Sequence, residues 1–162
     1  MDKILDRHTL KQVLEGLRAQ GKRVAFTNGC FDILHVGHIR YLREAKKTAD
    51  ILVLALNSDR SVRSIKGERR PIVPEEERAD VMAALEMVDY VTVFDEDTPG
   101  ELIAFLEPDV LIKGGDWSAE TVVGRDVIKR RGGKIVIVPL TEGVSTTNVI
   151  GKVLDVYGAG KK

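Results

Sequence analysis

A doubly wound α/β sandwich on a five-stranded parallel sheet is the fold class this sequence predicts. Three observations predict it: short, nearly continuous apolar runs recur along the chain, a helical pattern separates each from the next, and 162 residues suit one domain with both sheet faces covered. Residues 9–20 place Leu10, Val13, Leu14 and Leu17 at helical spacing until Gly21 stops the pattern, which gives a leading amphipathic helix. Strands are expected at residues 23–27, 51–56, 90–94, 110–112 and 135–138, each short and apolar. Helices are expected at 36–48, 58–65, 75–87, 99–106 and 125–131, with a last one at 146–157. Right-handed crossovers between parallel strands then put helices on both faces. The stretch 66–80 is dense in charge and carries Pro71 and Pro74, so its first half reads as an exposed loop. The 158–162 tail reads as frayed, and without internal repeats or low-complexity tracts 1–162 reads as a single domain.

Composition narrows the function. Twenty-five Lys and Arg balance 25 Asp and Glu, so no net field favours nucleic acid or an anionic membrane as partner. The longest clean apolar run covers residues 51–56, against the roughly 20 residues a bilayer-spanning helix needs. The opening MDKILDRHTLKQ lacks the apolar stretch and cleavage site of a secretory signal, so the cytoplasm is the expected compartment. Cys30 is the only cysteine, which excludes an internal disulfide and a zinc site built on paired cysteines.

In such a sheet, ligands bind beyond the carboxyl ends of the strands, where strand order reverses. Two of the three histidines, His35 and His38, stand in that zone as HVGH, directly after the first strand and at the start of the next helix. The i, i+3 spacing puts both imidazoles on one helix face, and Gly37 omits the side chain that would block a phosphate approaching the helix amides. A helix amino terminus presents unpaired N–H groups and the positive end of a dipole, so the segment is a candidate anion seat rather than a pair of surface histidines. Metal binding is the weaker reading, because neither a third histidine nor HExxH accompanies the pair, and His8 in the leading segment reads as solvent-facing. No GxGxxG follows a strand and no GxxxxGK[ST] occurs, which removes the dinucleotide and P-loop readings.

Residues 27–38, TNGCFDILHVGH, closely resemble the signature of the HxGH nucleotidyltransferases, the cytidylyltransferase-like superfamily. Around it stand Asn57-Ser58-Asp59, Lys66-Gly67, Arg70-Pro71, DEDTP at 95–99, KGGDW at 113–117 and Ser145-Thr146-Thr147-Asn148. Together these resemble the heptose 1-phosphate adenylyltransferases from about residue 10 to residue 154, in a standalone form rather than one fused behind a sugar kinase. The resemblance implies a Rossmann-like nucleotidyltransferase fold. It implies transfer of AMP from ATP to D-glycero-β-D-manno-heptose 1-phosphate, giving ADP-heptose for lipopolysaccharide core assembly and releasing pyrophosphate. Magnesium bound through the ATP phosphates, no metal site of the protein's own, and a homodimer follow from the same resemblance.

Carried over by motif, His35 and His38 would hydrogen-bond the triphosphate and stabilise the transition state, with Lys46 on the same helix reaching the phosphates. Nucleotide contacts would fall on Asn28, Gly29, Phe31, Gly37, Asn57, Asp59, Lys113, Gly115, Asp116, Ser145, Thr146 and Thr147, and sugar-side contacts on Asp32, Arg70, Arg78, Asp95 and Thr98. Simpler readings stand beside several of these: Lys46 as a solvated helix lysine, Asn57 and Asp59 as a helix cap, Asp32 as a turn former, and Arg70 and Arg78 as parts of a solvated charge run. An N-cap explains one of the hydroxyls of Ser145, Thr146 and Thr147 but not all three. Gly114-Gly115 permits either a close approach to a ligand or an ordinary turn, Cys30 reads as a small buried residue, and Trp117 packs beside the nucleotide or covers the sheet edge. Related glycerol-3-phosphate cytidylyltransferases carry an arginine before TEGISTT that helps hold cytosine. Leu140 stands there in this chain and cannot make that contact, so ATP is favoured over CTP. The alternatives are a CTP-using cytidylyltransferase of that type and a non-catalytic nucleotide-binding module.

Overall fold

The computed structural model describes residues 2–115 and 118–158. Among these, five strands, β1 (Val24–Gly29), β2 (Ile51–Asn57), β3 (Tyr90–Phe94), β4 (Val110–Gly114) and β5 (Lys134–Val138), pair in parallel in the order β3-β2-β1-β4-β5. The helices are α1 (Arg7–Ala19), α2 (Val36–Lys46), α3 (Asp59–Lys66), α4 (Glu75–Ala83), α5 (Gly100–Leu106), α6 (Arg125–Arg130) and α7 (Thr146–Tyr157). The fold class is the one expected, and every expected strand and helix is present, β3 and α7 with the expected bounds and the others with shifted ends.

The shifts have local causes. Helix α1 begins at Arg7 because the Asp6 carboxylate accepts hydrogen bonds from the backbone N–H of His8 at 2.8 Å and Thr9 at 3.1 Å, an N-cap upstream of the apolar pattern. Strand β1 runs two residues beyond its apolar stretch, since the pairings Asn28 with Ala55 and Gly29 with Leu56 use backbone groups and ignore side-chain polarity. That extension delivers Asn28 to the carboxyl edge of the sheet.

Side chains on β2 alternate between two cores. Leu52, Leu54 and Leu56 pack with Leu42 and Ala45 of α2 and Met82 of α4, while Val53 and Ala55 face Leu10 and Leu14 of α1 and Leu102, Ile103 and Leu106 of α5. Burial of each such leucine stabilises the fold by about 1.5–3 kcal/mol. Chain reversals do the rest: a Cβ at Gly133 would lie 2.5 Å from the Asp109 carbonyl oxygen, which already accepts from Lys134 N at 2.9 Å. Gly133→Ala is therefore expected to lower stability by about 1–3 kcal/mol in urea unfolding, as overpacking against fixed backbone does.

One feature lies outside any periodicity. The segment before α1 covers the edge of β3, Leu5 N donating to Val91 O at 2.9 Å and Val91 N to Lys3 O at 2.8 Å, which leaves less open ladder there. At the other end α7 buries none of its residues, and residues 159–162 of the expected frayed tail lie outside the described residues. No helix among the described residues is long and apolar enough to cross a membrane.

Candidate active site

After β3 the chain returns across the sheet to form β4 on the far side of β1, so strand order reverses between β1 and β4. Asn28 and Lys113 end those two strands, and Lys113 Nζ donates to Asn28 Oδ1 across the gap. Burial pushes the Lys113 ammonium down to about 8. A desolvated cation whose partner among the described residues is a neutral amide is a site that an anion would stabilise.

The histidines close the other wall. His35 is the N-cap residue of α2, with extended backbone and a carbonyl that accepts from His38 N at 3.0 Å, so its ring is free to lie over the next turn. There the imidazoles of His35 and His38 stack, with centroids 3.8 Å apart and planes 20° apart. Nδ1 of each ring is buried without a hydrogen-bond partner among the described residues. Burial, and then the neighbouring His35 ring, push His38 down to about 4, and burial lowers His35 as well. At neutral pH both rings are neutral, each carrying one N–H to donate. Nδ1 being enclosed, the Nε2 side of each ring, which is not among the buried unpartnered nitrogens, is the side that a ligand with oxygen acceptors would meet.

The depressed His38 predicts an acid window. The unfolded imidazole titrates near 6.5 and the folded one at about 4, so between them the unfolded chain binds more protons and stability rises with pH. Urea unfolding should show stability draining as pH falls from 6.5 towards 4, and His38→Gln should flatten that slope. An unchanged slope in the variant would contradict the assigned burial.

Helix α7 brings a second amino terminus to the same place. Thr146 Oγ1 donates to Ile33 O at 3.4 Å, Ser145 Oγ caps the helix by accepting from Asn148 N at 3.1 Å, and Thr147 is exposed. The amino termini of α2 and α7, with their positive dipole ends, are thus neighbours. The absence of a side chain at Gly37 matters for the histidine pair, since a Cβ there would lie 3.0 Å from His35 Nδ1 and 3.6 Å from Val144 Cγ1. Leu140 packs on the turn after β4, its methyls 2.9 Å from where a Cβ on Gly114 or Gly115 would stand, and Gly115 needs its positive φ of 80°.

The structure therefore places His35, His38, Gly37, Asn28, Lys113, Gly115 and the Ser145–Thr147 segment at the carboxyl end of the sheet, beside β1 and β4. Phe31 and Gly29 pack beside them: the Phe31 ring lies 5.0 Å from His38, and a Cβ on Gly29 would come within 2.8 Å of it. Asp116 lies outside the described residues, as does Trp117.

Other expected site residues are engaged elsewhere. Lys46 is corrected: it sits at the far end of α2, about 16 Å from His35 at 1.5 Å per residue, where its ammonium pairs with Asp89 at 2.5 Å beside the amino ends of β2 and β3. Asp95 and Thr98 follow β3, two strands from β1, and Asp95 accepts from Ser58 Oγ and Arg60 Nε on the surface. Asn57 Nδ2 donates to Ser61 Oγ at 2.9 Å and Asp59 accepts from Arg78, so both serve the α3 cap region. Arg78 is buried, not solvated, and Asp32 is buried against Arg70 and the backbone of Ile72 and Val73.

Tyr41 was not among the expected site residues. Its hydroxyl and Thr27 Oγ1 share a buried 2.6 Å hydrogen bond, and its ring supports Gly114, where a Cβ would come within 3.2 Å. Its place three residues after His38, on the same helix face, was the available signal.

A family model described as cytidylyltransferase-like matches residues 26–152, which take in His35, His38, Lys113 and the Ser145–Thr147 segment. The bifunctional protein HldE of Syntrophotalea carbinolica is 55% identical over 158 residues, and HldE of Geobacter metallireducens is 54% identical over 156. These alignments cover 98% and 96% of this chain but 32% of each relative, so the chain spans about a third of the length of the curated relatives it matches. Among solved structures, a lipopolysaccharide core biosynthesis protein from Thermoplasma volcanium is 30% identical with a TM-score of 0.59, over 75% of this chain and 98% of that one. A pantoate-beta-alanine ligase from Francisella tularensis, complexed with beta-gamma ATP and beta-alanine, is 14% identical with a TM-score of 0.61 over 96% of this chain and 78% of that one, and shows the fold alone. The sheet with its switch point, the paired histidines and the matched span together make this chain a member of the cytidylyltransferase-like family, a nucleotidyltransferase by family and by fold.

Proposed function

We propose that the chain transfers AMP from ATP to D-glycero-β-D-manno-heptose 1-phosphate, releasing pyrophosphate and forming ADP-heptose. The observation that carries this reading is the stacked His35–His38 pair, two neutral imidazoles with unpartnered buried nitrogens at the switch point of the sheet. Support for the substrate comes from the similarity to HldE proteins and to the Thermoplasma lipopolysaccharide core protein. Leu140 on the Gly114–Gly115 turn presents methyl groups where cytidylyltransferases of the glycerol-3-phosphate type place a cytosine-binding arginine.

A phosphate oxygen of the sugar 1-phosphate attacks the α-phosphorus of ATP in line, the bond from that phosphorus to the bridging oxygen breaks, and pyrophosphate leaves with the electron pair. No side chain is needed as nucleophile, so catalysis is positioning and charge stabilisation. His35 and His38 donate N–H bonds to the oxygens that gain charge, Lys113 contributes the desolvated cation, and the first turns of α2 and α7 contribute amides. Magnesium enters as an ion held by the triphosphate's own oxygens, as the family resemblance implies. Bound that way, magnesium would supply charge neutralisation for the departing pyrophosphate. We assign the activity to the cytoplasm and to a homodimer, the latter tested by light scattering, where a monomer mass would remove it.

The reading is tested by pyrophosphate release with ATP and heptose 1-phosphate against CTP and glycerol 3-phosphate. Preference for the first pair is expected. Preference for the second overturns the substrate assignment, and tight ATP binding in calorimetry with no turnover of either pair would make the chain a binding module.

A further inference from the structure

The Asp32 and Arg78 side chains are both fully buried. The Asp32 carboxylate accepts from Ile72 N at 2.9 Å, Val73 N at 2.8 Å and Arg70 Nε at 2.5 Å. Burial alone would push this carboxyl up, but those three donors outweigh it and hold it below the usual range. Arg78 donates from Nε to Val73 O at 3.0 Å and from Nη1 to Cys30 O at 2.6 Å, while Nη2 serves Asn57 O at 3.0 Å and Asp59 Oδ1 at 2.8 Å. The segment 70–73 is thus fastened to the turn 30–32 from both sides, through Asp32 itself and through the Arg78 bridge between Val73 O and Cys30 O.

Between those two fastenings stands Phe31, with φ of 43°, a left-handed backbone that a bulky side chain adopts only when its surroundings compel it. The reward for that conformation is the position of its ring, which is 7% exposed, lies against Gly29 and is 5.0 Å from the centroid of His38. None of the bonds that fasten the turn touches a histidine, yet they hold the Phe31 side chain, which lies against the His38 ring beside the stacked His35.

We propose that Asp32 and Arg78 are positioning residues: by fastening segment 70–73 to the turn 30–32 they hold Phe31 in its left-handed conformation, and the Phe31 ring sets the seat of His38. This rests on the catalytic reading of His38 given above, and it moves Asp32, Arg70 and Arg78 from sugar contact to support of the anion seat. A side chain that acts this way controls where the imidazole points, so its loss lowers turnover without weakening ground-state binding.

The test uses the full chain with Asp32→Asn and Phe31→Leu, read by imidazole nitrogen NMR and by steady-state kinetics. Asp32→Asn is expected to lower kcat about 100-fold, the cost of a small misplacement of a catalytic group, with KM for both substrates nearly unchanged. In both variants the His38 resonance should titrate at higher pH than in the wild type, because a ring that loses its apolar backing is better hydrated. A raised KM for the sugar phosphate with intact kcat and an unmoved His38 titration would make Asp32 a substrate contact and overturn the proposal. Should Asp32→Asn fail to fold, Arg70→Ala, which removes one fastening donor and keeps the Asp32 carboxylate, takes its place with the same readouts; an unmoved His38 titration in Phe31→Leu also overturns the proposal. The spectra need no sugar phosphate, so a wild type that turns over no heptose phosphate would defeat the proposed reaction while leaving this test standing.

Discussion

His38→Ala is expected to reduce turnover of ATP with heptose 1-phosphate by at least about 100-fold, as loss of one preorganised transition-state donor does. The folded state should tolerate the change, because His38 Nδ1 has no hydrogen-bond partner among the described residues and the variant strands no protein group. Relief of the acid-labile imidazole even favours the variant below pH 6.5, given the depressed titration at about 4. The measurement is pyrophosphate release under saturating and limiting ATP, beside a circular dichroism melt. If His38 acts on the transition state alone, kcat and kcat/KM fall together; a rise in KM with kcat intact would make the ring a ground-state contact. Wild-type turnover would remove it from the mechanism.

The largest stability effect should come from Arg78→Met. Methionine fills much of the space but takes away every donor to Val73 O, Cys30 O, Asn57 O and Asp59, in a place where Arg78 is 1% exposed and water cannot replace it. Breaking a buried charged hub from one side costs about 3–5 kcal/mol. Against the roughly 5–15 kcal/mol by which domains are stable, that is a large part of the whole. Urea unfolding of the variant should lose about that amount, and Arg78→Lys should recover only part, since an ammonium is a point charge and cannot span acceptors on separate segments as the guanidinium fork does. A loss under about 1 kcal/mol in Arg78→Met would mean the four acceptors find other partners.

The contrast between these two residues tracks how each was legible. His35 and His38 are separated by a helical spacing and follow an apolar strand, so their convergence is a local property, and the stacked pair stands where that spacing puts it. Arg78 sits in a charge-dense stretch, where solvation is the reasonable expectation, and its acceptors lie five to 48 residues away in sequence. Lys46 illustrates the opposite error: placement on the histidine helix suggested a shared site, but eleven residues of helix carried it to the other edge of the sheet.

Hydropathy alone determined the α/β class, the five strands and the position of HVGH at the end of the first of them, because strand and helix periods are written within ten or so neighbouring residues. Tertiary structure alone decided which polar side chains remain available for a ligand. Among the described residues Lys113 pairs with the neutral Asn28, whereas Asp32 and Arg78 are spent on backbone groups some 40 residues distant. The strand order β3-β2-β1-β4-β5 made that division by bringing distant loops to one edge, and a hydrogen-bond partner chosen by chain closure leaves no periodic trace.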